Sequence, residues 1–370
     1  MNSSHHAGIV CTPWNTIPIP NDEAAVNWQF TKTDKIVLSI ILPIIIIVGF
    51  FGNIAFLYMV ACLKRMHTLT NFYLVNIAIA DIITVTYTPV VYGWSYFNSA
   101  IIHYMPIENS AGCFTTGAVS YWGYFASINI FTLVSLERWL AICRPLQHIS
   151  MKSKSRTSKL ITFAWFIALV FALLVAPRYG KSIWFCMGWP DSDKYTNMPK
   201  YLHTCVSYHK SLETHPAILE FTPYFLGLLI NGTFYVMIVQ ALSNRSIGDV
   251  SNPSDQSTTK IRNQVARLLV INGVVFFICQ TPFRIANLDN IAGNLFGGPF
   301  LTKTQADSIK IFGRTFIYLN SAINVFIYLL SSSFYRNGFR EVFSFVDKRH
   351  KKDDGSLKTV TTSSTLSGRI

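Results

Sequence analysis

Residues 36–63 read IVLSIILPIIIIVGFFGNIAFLYMVACL, running from Ile36 to Leu63 without one aspartate, glutamate, lysine or arginine. A bilayer core needs roughly 20 apolar residues in helical form, so this stretch is long enough to cross a membrane. Six further stretches carry the signal, at 70–97, 110–143, 158–177, 216–242, 261–291 and 307–330, with uncharged centres at 109–136, 160–177 and 221–244. A large soluble protein with buried helices is the competing reading. Such helices show charged faces, and Ile36 to Leu63 has none. Composition agrees: 51% hydrophobic, 13% charged and mean hydropathy +0.34, where soluble domains carry about 25% charged residues. The predicted fold is an all-α membrane protein. It is a seven-transmembrane helix bundle over 36–330, followed by a short amphipathic cytosolic helix over 331–346.

Basic residues orient the bundle. Lys64, Arg65, Arg144, Lys152, Lys154, Arg156 and Lys159 flank one side, joined by Arg245, Lys260, Arg262, Arg336, Arg340 and the run from Lys348 to Lys352. The other side mixes signs, with Asp22, Glu23, Lys32, Glu108, Asp191, Asp193 and Glu213. Lysine and arginine gather on the cytosolic side, which puts the N-terminus outside. The net charge of +13 is then a topology signal. Nucleic-acid binding needs a basic patch on a water-soluble face, and the sequence offers none. Residues 1–35 are expected to be an extracellular tail without a cleavable signal peptide. Asn2 opens a glycosylation sequon on it; the sequons at Asn231 and Asn244 fall in a span and in the cytosol. The inner connection 243–260 reads as a flexible loop. Residues 347–370, with the Ser/Thr-rich stretch Ser356–Ser367, have the composition of disorder.

Cys62, Cys143 and Cys279 fall in the membrane or cytosol and are expected to be reduced. Cys11, Cys113, Cys186 and Cys205 face the oxidising exterior, an even number that allows three pairings.

Every span but the fifth carries a clear marker. Gly52-Asn53 lies on the first, Leu74 to Asp81 (LVNIAIAD) on the second, and Glu137-Arg138-Trp139 ends the third. Trp165 marks the fourth; Phe276, Cys279 and Pro282 the sixth; Asn320 to Tyr328 (NSAINVFIY) the seventh. A lone buried asparagine or tryptophan is ordinary packing, but this ordered set resembles rhodopsin-type G-protein-coupled receptors. The resemblance implies a plasma-membrane receptor that activates a heterotrimeric G protein, with arrestin and receptor kinases acting on the Ser/Thr tail. It implies a disulfide from Cys113 to the second outer loop; Cys205, nearer the fifth helix, is the preferred partner, which leaves Cys11–Cys186 as a second bridge that the sequence alone does not decide.

Asp81 is an acid at mid-membrane, and such groups are functional by default. Asn53, Ser127, Asn320, Ser321 and Asn324 match the family's polar partners around it. An oxygen-rich set suits a hard cation, and the family implies an allosteric sodium ion; no other cofactor is required. The plainer alternative is a protonated Asp81 in a structural hydrogen-bond network. At the inner end, Glu137 is expected to hold Arg138 until the sixth helix swings outward about the bend at Pro282. Asn324 and Tyr328 carry the seventh-helix part of that switch. The sixth-helix acid that locks this arginine in relatives is matched by Arg262, so that lock is expected to be absent. Gln280 and Val325 also depart from the pattern, standing for a tryptophan and a proline. Tyr235 follows Pro223 by twelve residues rather than eight.

Ser120 stands where amine receptors carry an aspartate, and Arg314 to Ser331 lacks the lysine that a retinal Schiff base needs. A closer similarity is to thyrotropin-releasing-hormone receptors. It runs through Thr70 to Val75, Arg262 to Val265, Pro282-Phe283-Arg284 and Arg314 to Asn324. In those receptors, residues matching Tyr121, Arg284 and Arg314 serve peptide binding; Ser120, Phe125, Phe283 and Tyr318 complete the candidate set. Both arginines present fork-shaped donors suited to carbonyls, terminal amides or acids. Otherwise each snorkels outward or pairs with Asp289 or Asp307. Ser120 and Phe125 replace the family's amide side chains, and Phe283 a tyrosine, so a related short amidated neuropeptide is expected rather than the hormone itself. Signalling is expected through phospholipase C and calcium. An acidic lipid or small organic acid is the alternative ligand. A transporter predicts internal repeats, and a membrane enzyme predicts paired catalytic groups at depth; neither is found in the sequence.

Overall fold

The computed structural model describes residues 9–209, 211–243, 253–296, 298 and 300–344. The chain begins with a strand, β1 (Thr16–Pro18), and a short helix, α1 (Asp22–Val26), ahead of three long helices. These are α2 (Lys32–Cys62), α3 (Leu69–Asn98) and α4 (Ser110–Cys143). A short inner helix, α5 (Pro145–Met151), leads to α6 (Lys154–Tyr179). A hairpin of β2 (Lys181–Gly188) and β3 (Tyr201–Val206) precedes α7 (Ser211–Ser243), α8 (Pro253–Phe296) and α9 (Lys303–Ser331). Last comes α10 (Ser333–Ser344), bent by 102° from α9.

Six of these helices are individually long and apolar enough to cross a membrane, and α9 makes a seventh when counted with α10. The charges of α9 (Lys303, Asp307, Lys310, Arg314) crowd its outer half; Thr315 to Leu330 is uncharged. Capping residues set where the helices start. Thr68 accepts from the Asn71 amide, Asn109 from the Gly112 amide, and Thr302 forms a capping box with Gln305, each filling a donor that the first helical turn leaves open.

The central helix is α4: 67% of its apolar window is buried, against 28% in α2. Its Phe131 shares one core cluster with Ile77, Phe276, Leu268 and Tyr328 from the helices around it. Ile44, Ile47, Phe51, Phe163, Phe166, Leu229 and Ile278 point outward and stay exposed. In water each would forgo about 1.5–3 kcal/mol of burial; against lipid they lose nothing. Asn76 accepts from the Trp165 indole at 3.0 Å and Trp122 donates to the Trp165 carbonyl at 3.3 Å, which ties α3, α4 and α6 together. The α9–α10 corner is closed by Arg336, whose Nη1 donates to the carbonyls of Leu329 and Leu330 at 3.1 and 3.0 Å. Tyr335 donates to Asn71 at 2.7 Å, and Arg65 pairs with Glu341.

The outer face departs from the all-helical expectation. β1 runs parallel to β2 (Thr16 opposite Cys186), and β2 pairs antiparallel with β3 (Lys181 opposite Val206). The segment expected as a polar tail therefore contains β1, α1 and the start of α2. Ile19, Ala25, Ile101, Met187, Tyr195 and Leu202 bury a small core beneath the sheet. Asp22 accepts from Lys194 at 2.8 Å and from Tyr195 at 2.9 Å, and the Lys194 hydrogen bond holds its carboxyl below the usual range. His203 bridges Met105 O and Ser182 Oγ, each at 2.7 Å, and burial keeps its imidazole below its ordinary pKa. The stretch 243–260 also differs from expectation, because α8 is already helical from Pro253. Proline's fixed φ suits a first helical turn. Asn2 and residues 345–370 lie outside the described residues.

Two disulfides fix the outer layer, Cys113–Cys205 and Cys11–Cys186, with Cα separations of 5.6 and 5.8 Å: the preferred pairing and the second bridge that the sequence left undecided. The second closes 175 residues of chain. Substituting Cys11→Ser with Cys186→Ser is expected to speed amide exchange across Thr16–Pro18 by about tenfold or more. The β2–β3 pairing, still tied by Cys205, should keep its protection. Equal exchange in the variant would show that strand pairing alone holds the segment.

Candidate functional site

Charge converges in the outer half of the bundle. Glu220 on α7 is fully buried and accepts from Arg284 on α8 through Oε1. Its Oε2 accepts from the Tyr121 hydroxyl on α4 at 3.1 Å and lies 3.7 Å from Arg178 at the outer end of α6. The Arg284 guanidinium is 4% exposed and sits 4.2 Å from the centroid of Tyr124, and its Nε–H has no acceptor among the described residues. Arg314 on α9 is half-buried, 4.9 Å from the Tyr92 ring and 5.7 Å from Phe283. The Phe283 ring centroid also lies 5.5 Å from Arg284, so both guanidiniums approach one ring. Among the described residues, no ion pair includes Arg314.

The backbone brings these groups this close. A Cβ on Gly313 would lie 2.5 Å from the Phe283 nitrogen and 2.8 Å from its Cα. Only glycine lets α8 and α9 touch there, one residue from each arginine. Ser120 spends its hydroxyl within the bundle, donating to the Thr116 carbonyl at 2.7 Å and accepting from Thr88 at 2.9 Å. Phe125 is 1% exposed and packs on Tyr121 and Phe171, which makes it support for Tyr121 rather than pocket wall. Tyr318 is buried with Val85 and Ala322, a turn inward from Arg314. The alternative partners considered for the arginines are engaged elsewhere. Asp289 accepts from the Phe300 and Leu301 amides at 2.8 and 3.1 Å, and Asp307 lies 3.8 Å from Lys310.

Glu220 was not legible as a site residue. It sits near the outer end of an apolar stretch, where an acid ordinarily faces water. The available signal was a carboxylate inside the 216–242 span, which within a membrane calls for a partner.

In the middle of the bundle, Asp81 is 1% exposed and accepts from Asn324 Nδ2 at 2.5 Å. Asn53 donates to the carbonyls of Gly49 and Ser321 at 2.8 and 2.9 Å. Ser127, Asn320 and Ser321 are buried, and the Oδ1 atoms of Asn320 and Asn324 have no donor. Gln280 is 3% exposed with an unpartnered Oε1, beside Pro282 inside α8.

At the inner end, Arg138 is 8% exposed. Its Nε donates to Glu137 Oε2 at 2.5 Å, and its Nη2 donates to Thr70 on α3. His148 on α5 lies 3.3 Å from the other Glu137 oxygen. Tyr235 bonds Ser135 at 3.0 Å, one turn from Arg138, and its hydroxyl lies where a side chain on Gly273 would stand. The tyrosine thus reaches α4 and α8 despite its displaced proline. Tyr328 packs between Phe56 and Tyr335 at 5.3 and 5.6 Å. The Arg262 side chain, on which the absent-lock expectation rests, lies outside the described residues.

An outer charged cluster, a polar middle layer and a clamped inner arginine within a bundle of membrane-length helices are the arrangement of a membrane receptor. Residues 52–328 match the 7 transmembrane receptor (rhodopsin family), and the chain belongs to that family. It is similar to the thyrotropin-releasing hormone receptor of Gallus gallus, 28% identical over 355 residues that cover 88% of this chain and 83% of the relative. It is similar to neuromedin-U receptor 2 of Mus musculus, 25% identical over 316 residues covering 83% and 75%. The neuromedin U receptor homolog of Caenorhabditis elegans is 28% identical over 359 residues, covering 86% and 85%.

Proposed function

We propose that this chain is a plasma-membrane receptor, N-terminus outside, that binds a short amidated peptide and activates a heterotrimeric G protein, which signals through phospholipase C and calcium. The observation that carries the ligand reading is Arg314: a half-buried guanidinium walled by Tyr92 and Phe283 and, among the described residues, in no ion pair. Such a donor lacks an acceptor until a carbonyl or carboxylate arrives. The relatives' names, hormone and neuromedin U receptors, support a peptide as its source. Receptor kinases and arrestin acting on the Ser/Thr tail complete the proposal. The test is calcium release in cells expressing the chain with a promiscuous G protein, challenged with a library of amidated peptides. Silence at good surface expression sinks the amidated-peptide reading and favours the acidic lipid or organic acid.

The middle layer fits a sodium ion by its donor set: one carboxylate, the Ser127 and Ser321 hydroxyls, and two amide oxygens without donors, on Asn320 and Asn324. Asp81 would supply the charge, and Asn324 would turn its oxygen toward the ion. Asp81→Asn is expected to remove any difference in agonist affinity between sodium and choline chloride at constant ionic strength. A sodium effect that survives this substitution rules the site out.

A further inference from the structure

Resting on that peptide reading, the geometry points to the Glu220–Arg284 pair as a subsite that reads a neutral amide and rejects a free carboxylate. The pair is self-neutral and buried: Glu220 is 0% exposed and Arg284 4%. It presents opposite chemistry side by side. The Arg284 Nε–H is a buried donor without an acceptor among the described residues. Beside it the Glu220 carboxylate already takes the Arg284 Nη1–H and the Tyr121 hydroxyl, and each of its oxygens keeps lone-pair capacity. A terminal amide satisfies both at once, its carbonyl accepting from Nε and its N–H donating to the carboxylate.

A carboxylate in the same place offers an acceptor for Nε but sets a second negative oxygen against Glu220. Juxtaposed like charges in a desolvated site cost several kcal/mol. An ammonium meets the converse problem at Arg284. Arg178, 3.7 Å from Glu220 with a partly exposed side chain, adds a screened positive charge at the rim. Arg314, which approaches the same Phe283 ring, then takes a second acceptor on the ligand rather than the terminus itself. The specificity resides in Glu220, a residue outside the set that the family resemblance supplied.

The test compares short peptides, each made with a C-terminal amide and as the free acid, on the intact receptor and on Glu220→Gln and Glu220→Asp. The readout is the ratio of acid to amide half-maximal concentrations within one receptor, which cancels differences in expression. The intact receptor and Glu220→Asp should prefer the amide by about 30-fold or more, and Glu220→Gln should bring the ratio below about threefold. A ratio unchanged in Glu220→Gln overturns the inference and leaves the amidated-peptide reading intact, whereas an intact receptor that prefers acids overturns both the inference and the amidated ligand while keeping a peptide receptor. Silence of the intact receptor and of Glu220→Gln toward both sets overturns the inference together with the reading beneath it.

Discussion

Arg314→Ala should cut the potency of an activating peptide by about 100-fold at matched surface expression. The guanidinium is half-buried against Tyr92 and Phe283 and joins no ion pair among the described residues, which leaves it donors to offer a ligand. A charge-assisted hydrogen bond in such a site contributes about 1.5–3 kcal/mol, and every 1.4 kcal/mol is tenfold in affinity. Arg314→Lys should recover only part of the loss, because a point charge cannot reproduce a planar fork stacked on rings. Arg284 is a poorer site for the same experiment. Removing it strands Glu220 as a buried, unpaired charge, and loss of folding would mimic loss of binding. Competition binding with a labelled peptide decides the matter. An Arg314→Ala receptor within threefold of the parent would place the ligand elsewhere in the bundle.

The second large effect is expected at the inner end, where Glu137→Gln should raise ligand-independent signalling about tenfold. Arg138 is held by Glu137 at 2.5 Å and by Thr70, with both side chains of the ion pair nearly enclosed. Neutralising Glu137 weakens one hold by about 1.5 kcal/mol, and an equilibrium between two conformations moves by the same factor. Thr70→Val added to Glu137→Gln should raise it further. Nucleotide exchange on a G protein in membranes without ligand is the measurement. Unchanged exchange in the double variant would falsify the view that these contacts restrain Arg138.

The sequence made the bundle legible because lipid demands long apolar helices and leaves little room for ambiguity. The Asp81–Asn324 contact and the Glu137–Arg138 pair were legible because each sits in a short motif whose spacing survives in this chain. Other features hid for identifiable reasons. The strands at Lys181–Gly188 and Tyr201–Val206 are rich in aromatic and branched residues, a strand signal. They lay inside a stretch read as a connection. Phe125 was matched by position, but an aromatic ring at that depth packs into the core where an amide would seek a polar wall. The Glu220–Arg284 pair joins residues 64 apart in sequence, and no local pattern announces a contact across two helices.

The contact at Gly313 has a mechanical consequence. α8 and α9 touch backbone to backbone at Phe283, and the inner start of α8 at Pro253 is thirty residues away, roughly 45 Å along a helix. With the short end of that beam pinned, a rotation of about 10° carries the far end through roughly 8 Å. A displacement of a few tenths of an ångström beside Phe283 is therefore geared up at the cytosolic mouth. The fulcrum is set by the smallest residue in the chain.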